Sequence, residues 1–170
     1  MLLMISEALR RTGDKFSFTL AEQPENTAFG TRELVFESPL TVTGSYVFDG
    51  DAFLVEGQAQ TVLKSQCARC TKQFSEPVAF TFEERFIKAA DWQEDSDLYS
   101  FTGETLELTQ AVMDNFYLSL PLISLCREDC RGLCPVCGCN RNETECACAQ
   151  LRPNNAFAAL ESIAIADKEV

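Results

Sequence analysis

Nine cysteines and no histidine define the chemistry open to this chain of 170 residues. Seven of the nine crowd into residues 126–148, C-R-E-D-C-R-G-L-C-P-V-C-G-C-N-R-N-E-T-E-C-A-C, and the other two, Cys67 and Cys70, stand upstream as C-A-R-C. Such density exceeds what burial of small apolar side chains requires. The Cys-Pro-x-Cys-Gly spacing is the one that turns two sulfurs toward a single ion. A metal site is therefore the first reading, and the absence of histidine removes the mixed Cys/His zinc sites and favours four thiolates for any closed one. The same absence removes Ser-His and Cys-His nucleophilic dyads, so no catalytic residue is assigned.

Eight cysteines make two such sites and leave one over. Cys134, Cys137, Cys146 and Cys148 group naturally, because C-P-V-C followed by C-A-C folds back on itself as a compact ribbon, with Gly138 relieving the tight turn. A second set joins Cys67 and Cys70 to Cys126 and Cys130 and clamps the later segment onto the earlier one. Cys139 stays outside both sets, close enough to Cys137 to trade places with a neighbour. Zn²⁺ in such a set sits about 2.3 Å from each sulfur with no open position, which makes it structural and not catalytic. Structural zinc contributes on the order of 10–16 kcal/mol, more than a loop-rich segment gains from its own core, so the metal-free stretch is expected to be disordered. An iron–sulfur cluster uses the same ligands and is the second choice of cofactor. A thioredoxin-like dithiol fits less well, since C-A-R-C joins two strands and does not open a helix.

The elements that must position these thiols read mostly as strands. A short helix over residues 5–11 precedes an alternating stretch at Phe16, Phe18 and Leu20. Leu34 and Phe36 alternate, then Leu40, Val42, Gly44, Tyr46 and Phe48; Asp49, Gly50 and Asp51 supply turn chemistry, and β-favouring residues continue from Phe53 to Leu63 as the other arm of a hairpin. Another strand candidate runs over residues 74–86, so Cys67 and Cys70 occupy a hairpin tip, as in a zinc knuckle. Residues 91–107 hold six acids and no base and read as a solvated connector, with an acidic docking face for a basic partner as the sharper reading.

Leu108, Val112, Phe116 and Leu120 recur every four residues and predict a helix, with Thr109 as N-cap, Leu108 and Met113 as a hydrophobic staple, and Pro121 as its stop. Pro153 opens a last short helix with Phe157, Leu160 and either Ile163 or Ala164 on one face. The fold class expected is α+β: a mainly antiparallel β-sheet with a few short helices and a C-terminal cysteine-rich zinc ribbon. Its organisation is a β domain over residues 1–90, an acidic connector over 91–107, and a helix, four-cysteine ribbon and C-terminal helix packing back on the sheet over 108–165.

A net charge of −12 and a pI near 4.4 repel phosphate backbones and anionic membranes, so any RNA contact must be local. Six cations supply the candidates: Lys64, Arg69 and Lys72 flank the hairpin tip, and Arg127, Arg131 and Arg141 lie in the cysteine cluster. The plainer role for them is to offset thiolate charge, and no aromatic platform interleaves with them for base stacking. No apolar run approaches the roughly 18–20 residues of a membrane span, and no cleavable leader is apparent. The expectation is a soluble cytoplasmic protein, whose reducing surroundings argue against a disulfide framework.

The order of these motifs resembles the bacterial YceD family: the C-A-R-C hairpin, E-E-R-F, the helix ending L-S-L-P-L, L-C-R-E-D-C-R-G-L-C-P-V-C-G-C-N-R-N with C-A-C, and N-N-A-F-A-A-L-E-S-I. The likeness runs from about residue 32 to 165. It implies a role in accumulation of 23S ribosomal RNA and so in ribosome biogenesis, with no enzymatic activity and no small-molecule substrate. With that role, the acidic charge suits a basic large-subunit ribosomal protein or the pre-50S particle as partner, and the six cations offer a local rRNA contact. The family's cysteine motifs fall on Cys67, Cys70, Cys126, Cys130, Cys134, Cys137, Cys146 and Cys148. This chain departs from the pattern at Cys139, where a basic residue is usual, at N-R-N in place of N-L-N, and at N-N-A-F. Two other function classes compete: a direct RNA-binding zinc module, and a zinc-thiol redox or metal-responsive switch with Cys139 as the attacking thiol.

Overall fold

One alternation, repeated across neighbouring strands, builds the molecule. In chain order the computed structural model, which describes residues 1–30, 32–92 and 98–150, contains β1 (Leu2–Met4), α1 (Ser6–Arg10), β2 (Lys15–Glu22), β3 (Thr27–Phe29), β4 (Arg32–Phe36), β5 (Leu40–Phe48), β6 (Ala52–Gln66), β7 (Gln73–Lys88), β8 (Tyr99–Phe101), β9 (Thr105–Glu107) and α2 (Thr109–Ser119). β6 and β7 pair antiparallel along their whole length, from Ala52 opposite Ile87 to Gln66 opposite Gln73. The other edge of β6 takes β5 and then, nearer the cysteine tip, β4. β2 pairs with β5, β3 with β4, and β8 adds to β7 in parallel. The mainly antiparallel sheet expected from the sequence is present.

Because side chains alternate across a strand, the period-two apolar residues share one face. Val42 and Phe48 of β5, Phe53, Val55 and Leu63 of β6, and Phe82 and Phe86 of β7 are all buried there. α2 covers this face: the Phe116 ring centroid lies 5.4 Å from that of Phe36 and 6.2 Å from that of Phe80. Ile5, Leu106 and Leu108 are fully buried at the other end of the same core. Phe18, Gly44, Gly57 and Phe82 form one row across the sheet. A Cβ on Gly57 would stand 2.9 Å from the Phe82 ring, and one on Gly44 would collide with the Glu56 carbonyl oxygen, so Gly57 makes room for an aromatic and Gly44 for the close approach of β6.

Two local expectations change. Residues 91–107 are not solvated connector throughout: β8 and β9 lie within them, Phe101 and Leu106 are buried, and β9 pairs with β1. Acidic composition says which side chains prefer water and not whether the backbone between them pairs. Thr109 is the first residue of α2 and not its cap; Leu108 holds the cap position, and the Glu107 carboxylate accepts the Thr109 backbone N–H at 3.0 Å. β9 runs straight into the helix, which leaves a carboxylate in place at the positive end of its dipole. The helix ends at Ser119, with Leu120 already extended before Pro121. The helix expected after Pro153 lies outside the described residues. No helix among the described residues is long and apolar enough to cross a membrane.

Candidate metal centres

The β6–β7 hairpin closes over its tip through Cys67 N donating to Lys72 O at 2.9 Å and Thr71 N donating to Cys67 O at 2.9 Å. Past α2 the chain returns to this tip, where Ala68 N donates to Ser124 O at 2.9 Å, and so delivers Cys126 and Cys130. The sulfurs of Cys67, Cys70, Cys126 and Cys130 all lie within 4.8 Å of one another. Cys67 to Cys130 and Cys70 to Cys126 are both 3.7 Å. A tetrahedron with sulfurs about 2.3 Å from its centre has edges of about 3.8 Å, whereas a disulfide brings them to about 2.05 Å. All nine cysteines are free thiols. This set is enclosed: Cys67, Cys70 and Cys130 are at most 4% exposed, and Phe74 and Leu125 pack against them.

The second group of four sulfurs, from Cys134, Cys137, Cys146 and Cys148, also falls within 4.8 Å. Its frame is slight. Leu133 and Asn140 form an isolated bridge, Cys134 N donates to Cys139 O at 2.8 Å, and a 3₁₀ turn over Ala147–Gln150 brings in Cys148. Cys134 is buried, Cys137 is exposed, and Cys146 and Cys148 are half-buried. Cys139 is outside this group, although its thiol lies against those of Cys137 and Cys146.

The two groups meet through backbone, one amide side chain and the Lys72–Glu143 ion pair. Leu133 N donates to Arg69 O at 2.9 Å. Gly132, at φ +71, sits so close that a Cβ there would stand 2.9 Å from the same Arg69 oxygen. From the ribbon, Asn142 Nδ2 donates to Cys130 Sγ at 3.3 Å, while its Oδ1 accepts Arg131 N and Arg127 Nη2, both at 2.8 Å. Asn140 Oδ1 in turn accepts Asn142 N at 3.1 Å and Nδ2 at 2.8 Å. Both asparagines of N-R-N therefore have internal duties, and Arg141 between them is exposed.

Backbone amides tune the sulfurs in the same way at both tips. Burial disfavours the Cys67 thiolate, but N–H groups of Cys126, Cys70 and Arg69 outweigh it and bring the thiol down to about 6. Cys134 receives the N–H groups of Cys137 and Val136 and also falls to about 6. Cys126 goes the other way, raised by burial and by the neighbouring sulfurs of Cys67 and Cys70. Cys148 is raised chiefly by Cys137. Sulfurs this close cannot all ionise without a cation among them, because like charges oppose one another. The chemistry of each donor set thus fits a thiophilic metal ion.

The six predicted cations have different fates. Arg69 donates through Nη1 to the carbonyls of Glu128 and Cys130, both at 3.1 Å, and so braces the loop between Cys126 and Cys130. Lys72 stands 3.9 Å from Glu143, and Arg127 pairs with Asp129 at 3.3 Å. Lys64, Arg131 and Arg141 are exposed with no acidic partner within 4.0 Å among the described residues. Asn142 was missed at the sequence level, as was a polar hub beneath the tip formed by Arg32, Ser65, Glu76 and Ser124. A signal for the hub did exist: Arg32 shares strand parity with buried Leu34 and Phe36, and Glu76 with Val78 and Phe80, so both charges point inward.

Sheet and cysteines together define a class, a mainly antiparallel β protein with two four-cysteine groups, one shared between a hairpin tip and the C-terminal segment and one of zinc-ribbon character within that segment. Within that class, the family model described as "Large ribosomal RNA subunit accumulation protein YceD" matches residues 55–164. The match begins inside β6 and takes in every cysteine; this chain belongs to the YceD family. Among curated proteins, an uncharacterised protein of Mycobacterium tuberculosis is 34% identical over 92 residues, covering 52% of this chain and 44% of that protein. An uncharacterised Mycobacterium leprae protein is 31% identical over 90 residues, 50% of this chain and 41% of its own length. The chloroplastic "Large ribosomal RNA subunit accumulation protein YCED homolog 1" of Arabidopsis thaliana is 19% identical over 156 residues, 74% of this chain and 49% of the relative. The chain thus spans under half the length of the curated relatives it matches. No solved structure matches it.

Proposed function

We propose that this chain is a non-catalytic ribosome-biogenesis factor that supports synthesis, processing or stability of 23S rRNA during large-subunit assembly, with zinc as the structural metal of both thiolate groups. The observation that supports it is the coincidence of the rRNA-accumulation family match with the segment that holds both four-cysteine groups. Cys67, Cys70, Cys126 and Cys130 hold one ion, and Cys134, Cys137, Cys146 and Cys148 the other. Closed tetrahedra of thiolates leave no open position for chemistry. The partner is a basic large-subunit ribosomal protein, attracted by the net charge of −12, or the pre-50S particle in the cytoplasm that such a protein joins. Lys64, Arg131 and Arg141 make the local rRNA contact. A pull-down at low salt is expected to recover large-subunit ribosomal proteins or precursor 23S rRNA; recovery of neither overturns the reading. Metal analysis should give two zinc ions per chain, with one lost in Cys67→Ser and the other in Cys134→Ser.

A second reading is favoured by the exposure of Cys137 beside the ninth thiol, Cys139. Here a peroxide oxidises the two sulfurs to a disulfide, is itself reduced to water or an alcohol, and the ribbon zinc leaves. Zinc retained under mild peroxide, followed with a zinc-sensitive dye, leaves the structural role alone.

A further inference from the structure

A charged pair at the end of the sheet hydrogen-bonds, among the described residues, to no sulfur, yet it touches each element that leads to Cys67, Cys70 and Cys126. Arg32 Nη2 donates to Glu76 Oε2 at 2.6 Å, and the two side chains are 26% and 13% exposed. The same carboxylate oxygen accepts Ser65 Oγ at 2.6 Å and Ser124 Oγ at 3.0 Å. Arg32 also donates to Ser65 Oγ at 2.9 Å and to the Pro121 carbonyl at 3.3 Å. One hub thus ties β4, β6 and β7 to residues 121–124, the strap that runs from α2 to Cys126. Apolar burial does not hold this strap, since Leu122 is 103% and Ile123 64% exposed. A further anchor is the bond from Ala68 N to Ser124 O.

A largely buried ion pair is a costly way to gain stability, because desolvation of both charges offsets most of their attraction. Its distinctive contribution is direction: the planar guanidinium reaches a carboxylate, a hydroxyl and a carbonyl at fixed angles. We propose that the Arg32–Glu76 pair is the positioning device of the hairpin thiolate group, holding the strap so that Cys126 and Cys130 arrive preformed against Cys67 and Cys70. It sets the metal affinity of that group and not of the ribbon. The inference rests on the metal reading above and adds what makes one of the two sites preorganised.

The test is a zinc titration of the full chain against a chromophoric chelator, with Cys134→Ser isolating the hairpin group and Cys67→Ser isolating the ribbon. Glu76→Gln is expected to lower zinc affinity of the hairpin group by about tenfold or more, as loss of a ligand-orienting neighbour does, and to leave the ribbon within about twofold. The paired apolar variant Arg32→Met with Glu76→Leu separates positioning from stability. Its melting temperature should recover toward wild type while hairpin affinity stays low. Wild-type affinity in Glu76→Gln, or affinity that returns together with stability in the paired variant, overturns the proposal. A wild-type hairpin group that takes up no zinc instead removes the metal reading itself, and the proposal with it.

Discussion

The hairpin and ribbon groups offer the same four-sulfur donor set on very different foundations. The hairpin group stands at the end of two strands of 15 and 16 residues, walled by Phe74 and Leu125 and braced by Arg69. The ribbon group has one isolated bridge, a few turns and an exposed Cys137. In the first, the sheet itself brings the thiols together, so a metal would only close the arrangement. In the second there is almost no core, so a metal would have to supply it. Identical ligand chemistry can therefore serve as a clasp in one place and as the folding nucleus in another.

Metal removal should separate them most sharply. Structural zinc is worth on the order of 10–16 kcal/mol to segments that lack a core of their own. Chelation is expected to strip amide-exchange protection from residues 132–150 while the β6–β7 ladder keeps its protection. Simultaneous loss in both would erase the distinction. Next in size is Phe116→Ala, which empties a fully buried site between Phe36 and Phe80 and should cost about 3–5 kcal/mol in urea unfolding. Metal stoichiometry should not change, because neither thiolate group uses this part of the core.

Gly132→Ala probes the seam. Its left-handed backbone and the nearby Arg69 oxygen leave no place for a Cβ, so a loss of about 1–3 kcal/mol is expected. Ribbon zinc should exchange faster while hairpin zinc does not, as read by isotope exchange of the bound metal. Acid gives the smallest effect and a control far from both groups. At the β5–β6 turn, the N–H groups of Ala52 and Asp51, with a weaker contribution from Arg85, hold the Asp49 carboxyl below its ordinary value. A lowered folded pKa contributes stability that is present above the unfolded value, about 3.9, and is lost as pH falls through the folded one. Asp49→Ala should therefore flatten the decline of stability below about pH 4 relative to wild type, seen as a shallower slope of melting temperature on pH.

Legibility followed sequence separation. The strands of the β5–β6 and β6–β7 hairpins could be read from period-two alternation and from D-G-D, because each depends on residues a few positions apart. β8 and β9 could not: three residues each, set among acids, they gain their stability from a partner strand elsewhere and from burial of Phe101 and Leu106. The capping of α2 by Glu107 was invisible for a similar reason, since Thr109 matches the local pattern and only the path of β9 shows which residue reaches the free amide. Asn142 carried the weakest signal of all, one polar residue in a polar loop.

Residue order alone specifies the long strands, the helix, the local C-x-x-C pairs and the family, because each rests on short-range periodicity or on motif order. What holds Cys126 and Cys130 near Cys67 and Cys70, some 56 to 63 residues away in the chain, emerges only from the folded arrangement. That proximity depends on α2 spanning the sheet, on a strap tied down by Arg32 and Glu76, and on an asparagine reaching across a seam. No local pattern encodes such contacts, since each is a distance between groups that the chain brings together only after the sheet has formed.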